Sequence, residues 1–163
     1  MTCSLVVNSK SGNTRMVSGA IKRTLQAAGV EFVHAAALSD DADADQVALE
    51  AQGACAADTV LVGFWCDKGA CTPSVAALLS ALHGKRVFLF GTCGFGADQS
   101  YYQQIINRVT SNLAEDAELV GWAMCQGKMG PAVKQRYEAM LEQDPDNARY
   151  KICLLYTSDA ADE

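Results

Sequence analysis

Between residues 3 and 141, short continuous apolar runs alternate five times with stretches of helical period. Few folds accommodate that pattern. The clearest run is Thr59-Val60-Leu61-Val62-Gly63-Phe64, uncharged and β-branched, whose unbroken apolar character fits a strand buried on both faces, as in a parallel sheet. Cys3-Ser4-Leu5-Val6-Val7, Glu31-Phe32-Val33-His34-Ala35, Arg86-Val87-Phe88-Leu89-Phe90 and Glu118-Leu119-Val120-Gly121-Trp122-Ala123-Met124 read as the other four strands. Helices are expected over 13 to about 28, 45 to about 52, 73 to about 82, 100 to about 112 and 131 to about 141. The first would turn Met16, Ala20, Ile21 and Leu25 inward and stop at Gly29. The third starts at Pro73 after Thr72, a good N-cap with proline at the first helical position. The last would turn Val133, Tyr137, Met140 and Leu141 inward, and Trp122 is expected in the core. Five strands alternating with five helices specify an open, doubly wound parallel α/β sheet in three layers.

The 163 residues suit one domain, and half of them are apolar, enough for a sizeable core. We place that domain at residues 1–152. The final stretch, residues 153–163, breaks the pattern and resembles translated adapter read-through, so it is set aside. A net charge of −6 argues against nucleic acid and anionic membranes and suits solubility or docking to a basic protein face. No run approaches the ~18–20 apolar residues of a membrane span, and no charged segment precedes an apolar one at the N-terminus. A cytoplasmic protein is the expectation. The seven cysteines form no CxxC pair and His34 and His83 lie far apart, so small buried thiols are expected rather than a metal site. The acidic stretch from Asp40 to Asp45 reads as a solvated loop feeding the second helix.

In an open α/β sheet, ligands bind beyond the carboxyl ends of the strands. Three loops there have unusual composition: residues 9–14, 65–72 and 91–98. The first, Ser9-Lys10-Ser11-Gly12-Asn13-Thr14, joins a buried strand to a helix. Its backbone N–H groups and the helix N-terminus make a ready anion site, with hydroxyl donors from Ser9, Ser11 and Thr14 and close approach allowed at Gly12. It carries neither the Walker lysine pattern nor GxGxxG, so neither a metal–nucleotide loop nor a dinucleotide seat is indicated. A phosphate monoester suits it.

The loop Ser9-Lys10-Ser11-Gly12-Asn13-Thr14 resembles the phosphate loop of the flavodoxin family, and the resemblance extends over residues 2 to about 145. The segments Gly63-Phe64-Trp65-Cys66-Asp67-Lys68-Gly69, Phe90-Gly91-Thr92-Cys93-Gly94 and Cys125-Gln126-Gly127-Lys128 look most like a bacterial subgroup of flavodoxin-like proteins. The resemblance implies a sheet of order 2-1-3-4-5 and FMN as cofactor. Ser9, Lys10, Ser11, Gly12, Asn13 and Thr14 would surround the phosphate. Trp65 would lie against one face of the flavin ring, beside Cys66, Asp67, Lys68 and Gly69. Thr92, Cys93, Gly94, Phe95 and Gly96 would follow the ring edge through backbone groups. Phe95 or Tyr101 would cover the second face. A redox-active pair of Cys66 and Cys93 is conceivable in these loops.

The resemblance implies an electron carrier that passes single electrons from a reductase to an acceptor enzyme. The cofactor does the electron chemistry and the protein tunes it. A negative charge added beside Asp67 and the phosphate is costly, which would lower the potential of the second electron step. A backbone carbonyl near flavin N5 would favour the first, with Gly69 as the candidate peptide. Two rivals stand beside this reading. One is an FMN-dependent reductase using NAD(P)H. The other is an accessory flavodoxin-like subunit of a larger reductase, such as those of gut bacteria that reduce bilirubin.

Overall fold

The computed structural model describes residues 1–94, 98–148, 150, 151 and 154. Its elements run β1 (Thr2–Val7), α1 (Asn13–Ala27), β2 (Glu31–Ala37), α2 (Ala44–Ala54), β3 (Thr59–Trp65), α3 (Pro73–Ser80), β4 (Arg86–Cys93), α4 (Gln99–Thr110), β5 (Glu118–Gln126) and α5 (Pro131–Gln143). The five strands form one sheet, all neighbours parallel, in the order β2-β1-β3-β4-β5. This is the expected doubly wound flavodoxin-like α/β arrangement.

Successive strand residues point to opposite faces, and the core divides accordingly. Val6, Val60, Val62, Phe64, Val87 and Leu89 meet α2, α3 and α4 through Val47, Ala51, Val75, Leu78, Leu79, Ile105, Ile106 and Val109. On the other face Cys3, Leu5, Val7, Leu61 and Phe90 pack under Val17, Ile21 and Leu25 of α1. β3 sits in the middle of the sheet and is buried from Val60 to Phe64, as its unbroken apolar run requires.

Several helix ends follow from single residues. Asp43 closes a capping box on α2: its carboxylate accepts from the Gln46 N–H, and the Gln46 side chain accepts from the Asp43 N–H. Part of the acidic stretch is therefore a helix start. Asp98 caps α4 by a simple side-chain bond, its carboxylate accepting from the Ser100 N–H.

Four details differ from the sequence reading. β4 and β5 run further than expected, so Gly91, Thr92 and Cys93 belong to a strand and pair with Met124, Cys125 and Gln126. From sequence Gly91 reads as loop because glycine usually punctuates one. Here a Cβ would fall 2.7 Å from Phe64 Cζ and 2.5 Å from Met124 Sδ, so close packing within the sheet requires the glycine. The inward stripe of α1 is rotated: Met16 is 68% exposed and Ala20 is exposed, while Thr14 and Ser18 are buried. No residue of α5 is buried, and Val133 is exposed. Its apolar stripe is set among Lys134, Arg136, Glu138 and Glu142, and Tyr137 packs on Tyr150, 5.8 Å between ring centroids. Trp122 is half-buried at the edge of the larger core cluster rather than inside it, because β5 is an edge strand. The proposed tail, residues 153–163, lies outside the described residues except for Leu154.

Candidate functional site

The carboxyl ends of β1, β3 and β4 meet at one sheet edge, with Val7 opposite Gly63 and Trp65 opposite Thr92. α1 begins there in an unusual way. Its N-cap is Gly12, left-handed at φ 91°, with no side-chain cap and no acidic residue in the first turn. Among the described residues, the backbone N–H groups of Lys10, Ser11, Gly12, Asn13 and Thr14 have no acceptor; the first that do are Arg15, donating to Ser9 Oγ at 3.3 Å, and Met16, donating to the Gly12 carbonyl. A left-handed residue followed by a right-handed helix turns such groups into one concavity, and the helix dipole adds to the positive potential there. The donor set fits a phosphate.

The side chains of the loop are shared out. Ser9 and Ser11 keep hydroxyl groups beside the concavity. Asn13 Nδ2 donates to Ser11 Oγ at 3.1 Å and to the Lys128 carbonyl at 3.0 Å, which ties the loop to the end of β5. Thr14 is fully buried, and its hydroxyl pairs with that of Thr92 at 2.8 Å. That pair joins α1 to β4, so the Thr14 hydroxyl is engaged across the sheet edge. Lys10 is exposed, and its ammonium lies 4.8 Å from the centre of the Trp65 ring.

Trp65 is anchored from below. Its Nε1–H donates to Asp40 Oδ1 at 2.9 Å, and the same oxygen accepts from Asn8 Nδ2 at 2.8 Å. Asn8 is 1% exposed and also donates to the Leu38 carbonyl, while its own Oδ1 accepts from the Thr72 hydroxyl at 3.4 Å. One buried asparagine thus links the ends of β1 and β2, the start of α3 and, through Asp40, the indole at the end of β3. The Trp65 hydrogen bond, helped by Asn8 and Lys10, holds the Asp40 carboxyl below the ordinary aspartate range. Such a bond stabilises the fold above the unfolded aspartate pKa, and the contribution disappears as pH falls through the lower folded value. Trp65 fluorescence is therefore expected to hold steady from neutral pH down to about 4 and to change only below it. An acid transition above that range would break the link between Asp40 and the indole.

Beyond Trp65 the chain makes a tight turn. Asp67 and Ala70 exchange two backbone hydrogen bonds around Lys68 at φ 50° and Gly69 at φ 83°. Two left-handed residues in succession make a type I′ turn, which glycine tolerates and lysine adopts only when held. Arg108 of α4 holds it, donating from Nη1 to the Gly69 carbonyl at 3.2 Å. Cys66, Lys68, Gly69, Cys93, Gly94, Tyr101 and Arg108 line a cleft of about 300 Å³ beside the turn. Burial raises the Cys66 thiol and pushes Cys71 up to about 11, so neither is a thiolate at neutral pH. Cys93 is buried. Phe95 and Gly96 lie outside the described residues; Tyr101 borders the cleft.

The structure thus gathers the loop at residues 9–14, the end of β3 with the turn at 66–70, and the end of β4 at 92–94 at one edge. Sequence reasoning passed over Asn8 and Arg108, and it read Thr72 as the N-cap of α3, whereas the Thr72 hydroxyl makes no cap bond and instead reaches Asn8 and the Ser74 hydroxyl. Asp40 was visible only as part of an acidic run, and its contact with Trp65 depends on β1 lying between β2 and β3.

A flavodoxin-domain family model matches residues 4–161. The chain belongs to the flavodoxin-domain family. Among curated relatives, a flavodoxin-like domain-containing protein BilS from Clostridium symbiosum is 35% identical over 159 residues, covering 93% of this chain and 82% of the relative. A protein of the same name from Clostridioides difficile is 39% identical over 90 residues, covering 55% of this chain and 51% of that one. Solved structures agree on the fold. A flavoprotein from Lactobacillus acidophilus, determined in complex with FMN, superposes with a TM-score of 0.52 at 16% identity, over 76% of this chain and 92% of its own. A WrbA-like flavodoxin from Agrobacterium tumefaciens reaches 0.53 at 14% identity, over 80% and 86%. Among the described residues of this flavodoxin-like chain, no helix is long and apolar enough to cross a membrane.

Proposed function

We propose that this domain binds FMN and carries single electrons between a reductase and an acceptor protein. The observation behind this reading is the concavity at Gly12, where five backbone N–H groups without acceptors among the described residues begin an uncapped helix beside an anchored tryptophan. Lys10, Ser9, Ser11, Gly12 and Asn13 would hold the phosphate, and Trp65 would lie against the ring. Cys66, Asp67, Lys68, Gly69, Thr92, Cys93 and Gly94 would follow its edge through their loops. Family membership and the FMN complex of a protein of the same fold support the cofactor. When bound, FMN supplies one- and two-electron chemistry, while the protein sets its orientation and electrostatics.

The likeness to the two clostridial BilS proteins favours a related second reading, an accessory redox subunit of a larger reductase, of which bilirubin reduction is one example. Both readings differ from a self-sufficient reductase. Steady-state NAD(P)H oxidation by the FMN-loaded protein, with and without a quinone, separates them. A carrier or accessory subunit is expected to turn over slowly in isolation. Rapid NAD(P)H oxidation by the protein alone would overturn both.

A further inference from the structure

We infer that Lys10 is a selectivity residue for the phosphate: its ammonium lies over the face of Trp65, and a phosphate held in the loop draws it away and opens the ring to a stacking partner. The inference rests on the FMN reading above and deepens it.

The geometry distinguishes a moving part from a fixed one. Trp65 cannot swing freely, because its Nε1–H is bonded to Asp40, and Asp40 is held in turn by the buried Asn8. Lys10 is exposed on a flexible four-carbon stem, and its Nζ sits 4.8 Å from the Trp65 ring centre, within cation–π range. The Lys10 charge also helps, after the Trp65 and Asn8 hydrogen bonds, to lower the Asp40 carboxyl. The ammonium is therefore well placed on the indole. Lys10 also belongs to the loop whose backbone N–H groups have no acceptor among the described residues. A phosphate dianion there attracts the ammonium more strongly than a neutral ring does. One side chain then serves two sites in turn. A phosphorylated aromatic ligand removes the cover as it binds, whereas the same ring system without a phosphate must compete with it.

The test compares FMN and riboflavin on the full chain and on Lys10→Met, which keeps an apolar stem and removes the charge. Lys10→Met is expected to bind FMN more weakly than the wild type but riboflavin about 2- to 5-fold more tightly, the fold-change that corresponds to a cation–π contact of ~0.5–1 kcal/mol. Riboflavin affinity that stays the same or falls in Lys10→Met would overturn the inference while leaving FMN binding intact. A second readout needs no flavin. In the Trp122→Phe background, where Trp65 is the remaining tryptophan, inorganic phosphate is expected to shift Trp65 emission, and the shift should vanish in Lys10→Met. An equal shift in both proteins, or none in either, counts against the inference. If phosphate moves Trp65 through Lys10 but no flavin binds, the FMN reading fails and the coupling stands.

Discussion

Gly12→Val is expected to weaken FMN binding at least ~100-fold while the chain remains folded. A Cβ at Gly12 meets nothing within 4 Å, so the effect does not come from a clash with the protein. It comes from the backbone. Gly12 sits at φ 91°, where a β-branched residue is strained by about 1–3 kcal/mol. Valine relieves that strain by rotating toward negative φ, which turns the Gly12–Asn13 peptide out of the concavity. Hydrogen bonds to a charged group contribute ~1.5–3 kcal/mol each, so misdirecting two N–H groups removes about 3–6 kcal/mol of binding. Isothermal titration with FMN measures this loss, and urea unfolding of the same variant checks that the fold survives.

The largest effect on stability is expected at Phe64. It is fully buried near the end of β3, in the larger core cluster, and packs against the space that Gly91 leaves open in β4. Phe64→Ala should cost about 3–5 kcal/mol, the usual range for removing a buried phenyl ring from a core that closes only in part. That is a large fraction of a domain's net stability. Leu49→Ala is the control: Leu49 is 65% exposed on α2 and its truncation should change stability by less than about 0.5 kcal/mol. Urea midpoints of the two variants should therefore differ clearly from each other.

The order and type of all ten elements were legible in the sequence because each signal was local. An unbroken apolar run such as residues 60–64 suits the centre of a parallel sheet, and Thr72-Pro73 marks a helix start wherever it stands. The candidate phosphate loop is local in the same way, since strand, glycine and helix follow one another in the chain. What escaped depended on neighbours distant in sequence. Gly91 reads as loop until Phe64 and Met124 are seen on either side of it. The phase of α1 was off because Thr14 and Ser18 turn inward: Thr14 reaches Thr92, 78 residues away, and Ser18 bonds back to the Arg15 carbonyl. Asp40 looked like one more solvated carboxylate. Only the β2-β1-β3 order brings it under the Trp65 indole.

Those distant contacts give the site a division of labour. In the proposed reading the backbone at Gly12 would supply the anion seat, the Asn8–Asp40 pair would fix the aromatic wall, and the Arg108–Gly69 bond would hold the turn at the ring edge. None of the three depends on a reactive side chain, which fits a domain that positions a cofactor and leaves the electron chemistry to it.

The central claim is that FMN is held by its phosphate at residues 9–14. Calorimetric titration of the purified full chain with FMN and, separately, with riboflavin tests it most directly. One FMN site per chain, with riboflavin at least ~100-fold weaker, is the expected result, since two charge-assisted N–H bonds alone account for that ratio. No binding of FMN, or equal affinity for the two flavins, would contradict it.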